Sequence, residues 1–88
     1  MPAPVFPISI SEHAVDRLIE RHLPQLRDYW SEANRVLHEL RCRAELVENC
    51  PSDLDGQGQS IWRARREGSV AWVLLVVDHK GEIKTVLP

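Results

Sequence analysis

The sequence predicts an α+β fold, in which two N-terminal helices pack on a three- to four-stranded antiparallel sheet. Three observations carry that expectation. Apolar residues recur at helical spacing through the first half, a Pro-, Gly-, Asp- and Ser-rich stretch occupies residues 50–60, and the later segments are short, apolar and divided by turn residues. Eighty-eight residues make one domain, with no room for a second core.

Residues 1–8 hold three prolines and read as an extended leader that packs through Val5, Phe6 and Ile8. The first helix begins near Ser9 or Ser11, where Ser9-Ile10-Ser11-Glu12 matches a capping box. Ala14, Val15, Leu18 and Ile19 form its apolar stripe, and Pro24 ends it. A second helix starts around Asp28 to Ser31, with Tyr29, Ala33, Val36, Leu37 and Leu40 on one face. Its opposite face carries Glu32, Arg35 and Glu39, spaced to pair with one another. Residues 43–48 suit a short edge strand, although Ala44 and Val47 also continue the helical stripe. Residues 50–60 form a flexible loop with Leu54 as its one apolar anchor.

The remainder is β. From Ile61 to Arg66, Trp62 and Ala64 alternate with Arg63 and Arg65, and Glu67-Gly68 supplies a turn. Val70 to Val77 is apolar without alternation, which reads as a central strand covered on both faces, with Trp72 in the core. Asp78-His79-Lys80-Gly81 makes a hairpin loop, and the last strand runs from Glu82 to Leu87.

A net charge of −2 argues against a protein that coats nucleic acid indiscriminately. Nine of the eleven cations are arginines, whose planar fork suits phosphate and carboxylate, so a local basic patch is compatible with that total. No segment approaches the roughly 18–20 apolar residues of a membrane helix, and the N-terminus lacks a signal peptide's basic region, so no membrane partner is expected and the cytoplasm is the expected compartment. Cys42 and Cys50 fit no zinc or redox spacing and read as reduced, structural thiols. Four histidines without ligand spacing give no metal site, and no cofactor motif appears.

His13, Arg17 and Arg21 follow one another at four-residue intervals, so they share a helical face that could hold an anion. They equally suit a solvated face, since Asp16 and Glu20 lie three residues from His13 and Arg17. His22 reads as a structural residue at the helix end. Arg63 and Arg65 can grip phosphates from a sheet face, while Trp62 or Trp30 can stack on bases or on a partner protein; the plainer alternative is a core Trp62 with surface arginines. Thr85, at period two from Ile83 and Leu87, reads as a strand former whose hydroxyl finds a backbone partner.

Ile10-Ser11-Glu12-His13-Ala14, followed by Arg17 and Glu20-Arg21, resembles the first helix of small toxin-like proteins related to RelE and BrnT. Ile83-Lys84-Thr85-Val86-Leu87-Pro88 resembles the closing strand of the same group. The resemblance implies a barnase–EndoU–colicin–RelE type of fold and a metal-independent ribonuclease, the toxin of a toxin–antitoxin pair, with His13, Arg17 and Thr85 at catalytic positions. Two departures stand against it: this chain is slightly acidic where such toxins are basic, and its 50–60 loop is long. The competing expectation is a non-enzymatic module of phage type. It would bind and regulate or inhibit a host protein through Trp30, Trp62 and the arginines. The partner is therefore a protein, antitoxin or host target, with RNA as the ligand of the enzymatic alternative.

Overall fold

Two helices and a four-stranded meander account for residues 8–50 and 58–88, the residues that the computed structural model describes. The order is α1 (Glu12–Arg21), a 3-10 turn (Pro24–Leu26), α2 (Trp30–Arg43), β1 (Glu45–Cys50), β2 (Gln59–Ala64), β3 (Val73–Asp78) and β4 (Ile83–Val86). The strands pair antiparallel in sequence order. The expected packing of Val5 and Phe6, and the interior of the 50–60 loop, lie outside the described residues. Cys50 and Gln59, at the ends of that loop, already belong to paired strands.

Ser11 caps α1, its hydroxyl accepting from the Ala14 amide at 3.1 Å. The expected capping box on Ser9 therefore does not form: the cap lies two residues on, at Ser11, whose N3 position is Ala14. Ser9 instead donates to Glu82, and its carbonyl accepts from the Ile83 amide, because the incoming chain lies along β4. Ala14, Val15, Leu18 and Ile19 are buried as their spacing requires, and so are Ala33, Val36, Leu37 and Leu40 of α2. Tyr29 does not join that stripe. It precedes α2 in a non-helical conformation and is 63% exposed. Glu32, Arg35 and Glu39 pair across the outer face of α2. The hydrogen bond from Arg35 holds the Glu32 carboxyl below its ordinary range, and the same bond raises the guanidinium.

Helix-facing residues of the sheet are Ala64, Val73, Leu75, Val77, Ile83 and Val86, all in one core with both helices. Val76 is buried but outside that core, since it points to the opposite face. Lys84 is a bulge between the pairs Val76–Thr85 and Val77–Ile83. Strict alternation would set Ile83 and Thr85 on one side. The bulge sends Ile83 into the core and leaves Thr85 on the open face.

The expected central strand over Val70 to Val77 is shorter at its start. Val70 is 88% exposed and Trp72 41% exposed, and β3 begins at Val73 because β2 ends opposite it at Ala64. Residues 66–71 are held in a turn, with Ser69 N–H donating to the Arg66 carbonyl and Ala71 N–H to Ser69 Oγ. Trp72 is thus not a core residue. Cys42 and Cys50 are both free thiols and both are exposed, so neither has a structural role in the packing. Among the described residues, no helix is long and apolar enough to cross a membrane.

Asp78 organises the β3–β4 turn: its Oδ1 accepts from the Lys80 and Glu82 amides, both at 2.9 Å, and Gly81 takes φ +87°. Burial raises this carboxyl, but the Glu82 and Lys80 amides together with the His79 and Lys84 charges outweigh it, and the net pKa is lowered. A lowered folded pKa means stability that is present above the unfolded value and lost as pH falls through the folded one. Asp78→Ala should cost about 1 kcal/mol at pH 7. The difference from wild type should shrink as urea unfolding is repeated at pH values descending through the carboxylate range. A constant difference at every pH would show that the carboxylate charge is not what holds the turn.

Candidate functional site

The two edges of the sheet differ in kind. Along β4, Ser11 N–H donates to the Ile83 carbonyl and Ser11 Oγ to that of Lys84 at 3.0 Å. Arg21 donates to the Val86 carbonyl at 2.7 Å, and His22 Nε2 meets that of Leu87 at 2.8 Å, in the tautomer that donates. Arg21 is therefore a fastener between α1 and the sheet, and His22 has the structural role expected of it. At the other edge, every residue of β1 is exposed, including Leu46 at 47% and Val47 at 51%. β1 also carries Glu45, Glu48 and a bulge at Val47, but among the described residues nothing pairs with its outer side, and an unpaired edge is a template for another chain.

On α1, His13 and Arg17 do meet. Arg17 Nε donates to His13 Nε2 at a long 3.4 Å, and its Nη1 is tied to Glu20 at 2.6 Å. The anion-holding face is thus already supplied with a carboxylate. Thr85, Arg63 and Arg65 lie together on the open face of the sheet, opposite the face that the helices cover, because they alternate with the core residues Val86 and Ala64. Among the described residues, no hydrogen bond or ion pair joins that group to His13 or Arg17.

The open face carries a feature that the sequence reading missed. The guanidinium groups of Arg63 and Arg65 lie over the Trp72 ring, 4.5 and 4.4 Å from its centroid. Such contacts contribute about 0.5–1 kcal/mol each at exposed sites and fix the direction of both cations. The register explains the meeting: Ala64 pairs with Val73, so the next rung sets Arg65 across from Trp72, with Arg63 on the diagonal. Beside this cluster is a recess of about 450 Å³ whose lining includes Arg43, Arg65, Arg66 and Trp72. Extending the Ala64–Val73 rung by one residue would have placed Arg65 opposite Trp72, had the strand's true start been known.

Trp62 is on the helix face, half-buried against the core, with its indole N–H donating to Ser60 Oγ at 2.8 Å and Arg41 over its ring. That burial matches the plainer of its two readings. Trp30 is 43% exposed and lines a groove of about 260 Å³ with Asp16, Glu20 and Arg27. Among the described residues, no group of three or more His, Cys, Asp or Glu side chains is placed to hold a metal ion. No protein-family model, curated protein or solved structure matches the chain.

Proposed function

We propose that this protein is a non-catalytic interaction module that binds a partner protein by pairing an extended segment of it with β1. The observation that carries this reading is the asymmetry of the sheet. Side chains and backbone of the α1 region occupy the β4 edge, whereas β1 presents Leu46 and Val47 to solvent. Pairing of this type draws affinity from main-chain hydrogen bonds and specificity from alternate side chains. The Arg63–Trp72–Arg65 cluster lies at the Glu45 end of the strand and favours acidic or aromatic residues there. Regulation would follow from occupying that segment of the partner.

A displayed library of random peptides, selected on the immobilised protein, tests the reading. The expected winners are extended, β-branched sequences that protect β1 amides from hydrogen exchange. They should bind at least about tenfold more weakly to the double variant Leu46→Lys, Val47→Lys, because lysine on an edge blocks strand addition. Peptides that protect another surface, or that ignore the lysines, would overturn it.

A second reading, a metal-independent ribonuclease of the toxin type, is favoured by the His13–Arg17 contact. The imidazole would act as the general base toward a ribose 2′-hydroxyl, with the Arg17 guanidinium beside it for the phosphate. Arg17 is however spoken for by Glu20. Single-stranded RNA and DNA incubated with the protein in excess EDTA decide this alternative. RNA cleavage that disappears in His13→Ala and weakens in Thr85→Val supports it, and intact RNA with the wild type removes it.

A further inference from the structure

We infer that the recess between the end of α2 and the β2–β3 connection is a binding site for a terminal phosphate or short polyphosphate. The inference goes beyond the strand-pairing reading and does not depend on it. Three arginines, Arg43, Arg65 and Arg66, line the recess. They come from different places in the chain: Arg43 is the last residue of α2, while Arg65 and Arg66 follow the end of β2. Two carboxylates, Glu45 and Glu67, share the lining, but Glu45 is held by Arg63 at 2.8 Å. The recess is therefore cationic in a chain of net charge −2.

Of the six arginines outside the recess, three have an acid partner, while Arg21, Arg27 and Arg41 form no ion pair among the described residues. Arg17 has Glu20, Arg35 has Glu32 and Glu39, and Arg63 has Glu45. Among the described residues, Arg43, Arg65 and Arg66 form no ion pair. Arg66 does lie close enough to Glu32 to help lower its pKa, though that carboxylate is already bound by Arg35. Gathering three like charges around one recess is unfavourable unless an anion joins them. Arginine's forked donors match phosphate oxygens two at a time.

Further details fit the same ligand. Ser69 Oγ accepts from the Ala71 amide, which leaves its hydroxyl proton free to donate into the recess. Arg43 and Arg66 also line an adjoining hollow of about 120 Å³ with Glu39 and Glu67. A chain of two or three phosphates could thus extend from one hollow to the other between the same two arginines. The negative end of the α2 dipole opposes an anion here, but it amounts to roughly half a charge, less than the single charge of Arg43 alone. Glu67 also opposes binding, and that makes it a useful control.

The ligand chemistry is shared by a free nucleotide and by the 5′-phosphorylated end of a nucleic-acid strand, so the experiment separates them. Pyrophosphate, ATP, and a thymidine oligonucleotide with either a 5′-phosphate or a 5′-hydroxyl are titrated calorimetrically into the protein at low salt without metal. Pyrophosphate should bind, at least about a hundredfold more weakly in the double variant Arg43→Ala, Arg66→Ala, and severalfold more tightly in Glu67→Gln. Arg27→Ala, on the groove by Trp30, should leave binding unchanged. Trp72 fluorescence should follow the same isotherm as Arg65 shifts over its ring, and that signal should vanish in Trp72→Phe. ATP binding assigns a free nucleotide, and preference for the 5′-phosphorylated oligonucleotide assigns a strand end. No heat from pyrophosphate at millimolar concentration would overturn the site. So would equal binding of both oligonucleotides without pyrophosphate binding, or an equal loss in Arg27→Ala.

Discussion

Leu75→Ala is expected to destabilise the protein by about 3–5 kcal/mol, the range for a leucine removed from a core that cannot collapse around the gap. Leu75 is fully buried, pairs between Trp62 and Val86 in the middle of the sheet, and belongs to the core shared with both helices. A protein of this length has a total stability of about 4–13 kcal/mol, so the variant should sit near its unfolding midpoint under mild denaturant. Trp72→Ala, by contrast, should cost about 1–2 kcal/mol, the sum of two exposed cation–π contacts. Guanidinium-chloride unfolding of the two variants side by side measures both. A larger loss in Trp72→Ala than in Leu75→Ala would return Trp72 to the core and contradict the start of β3 at Val73.

Arg21→Met should cost about 1–2 kcal/mol, as much as Trp72→Ala. The variant keeps the aliphatic stem and removes a charge-assisted hydrogen bond to the Val86 carbonyl, and solvent at the sheet edge recovers part of the loss. Arg17→Met on the same helix should cost no more than about 0.5 kcal/mol, because the bond to Glu20 is a surface pair. Hydrogen exchange sharpens the contrast: Arg21→Met should speed exchange at the β4 edge, and Arg17→Met should not. Equal losses would mean that α1 is held to the sheet by its apolar face alone.

This contrast also separates two residues that the sequence presents as equivalent. His13, Arg17 and Arg21 share one helical ridge by spacing, yet Arg21 reaches a strand 65 residues away while Arg17 is tied to its own helix. Nothing local distinguishes them. The same holds for the site on the open face. Arg63 and Arg65 were legible as a pair on one side of a strand, but the ring they share, Trp72, was hidden in an apolar run that reads as core. Arg43 and Arg66, which complete the recess beside it, carry no periodic signal and come together only through packing.

What the sequence determined by itself was whatever depends on neighbours within about one turn or one strand. The stripes Ala14–Val15–Leu18–Ile19 and Ala33–Val36–Leu37–Leu40, the α2 ion pairs and the alternation of Trp62 and Ala64 with Arg63 and Arg65 all follow from 3.6- and 2-residue periods. The turn at Gly81 was equally local. What only the tertiary structure decided was where each strand begins, which face it shows, and which edge is closed. Ala64 sets the start of β3, the bulge at Lys84 turns Ile83 inward and Thr85 outward, and the α1 region closes β4 while, among the described residues, nothing pairs with the outer side of β1. Those outcomes depend on pairing partners distant in the chain, and a side-chain period fixes alternation along a strand without fixing its register against the next.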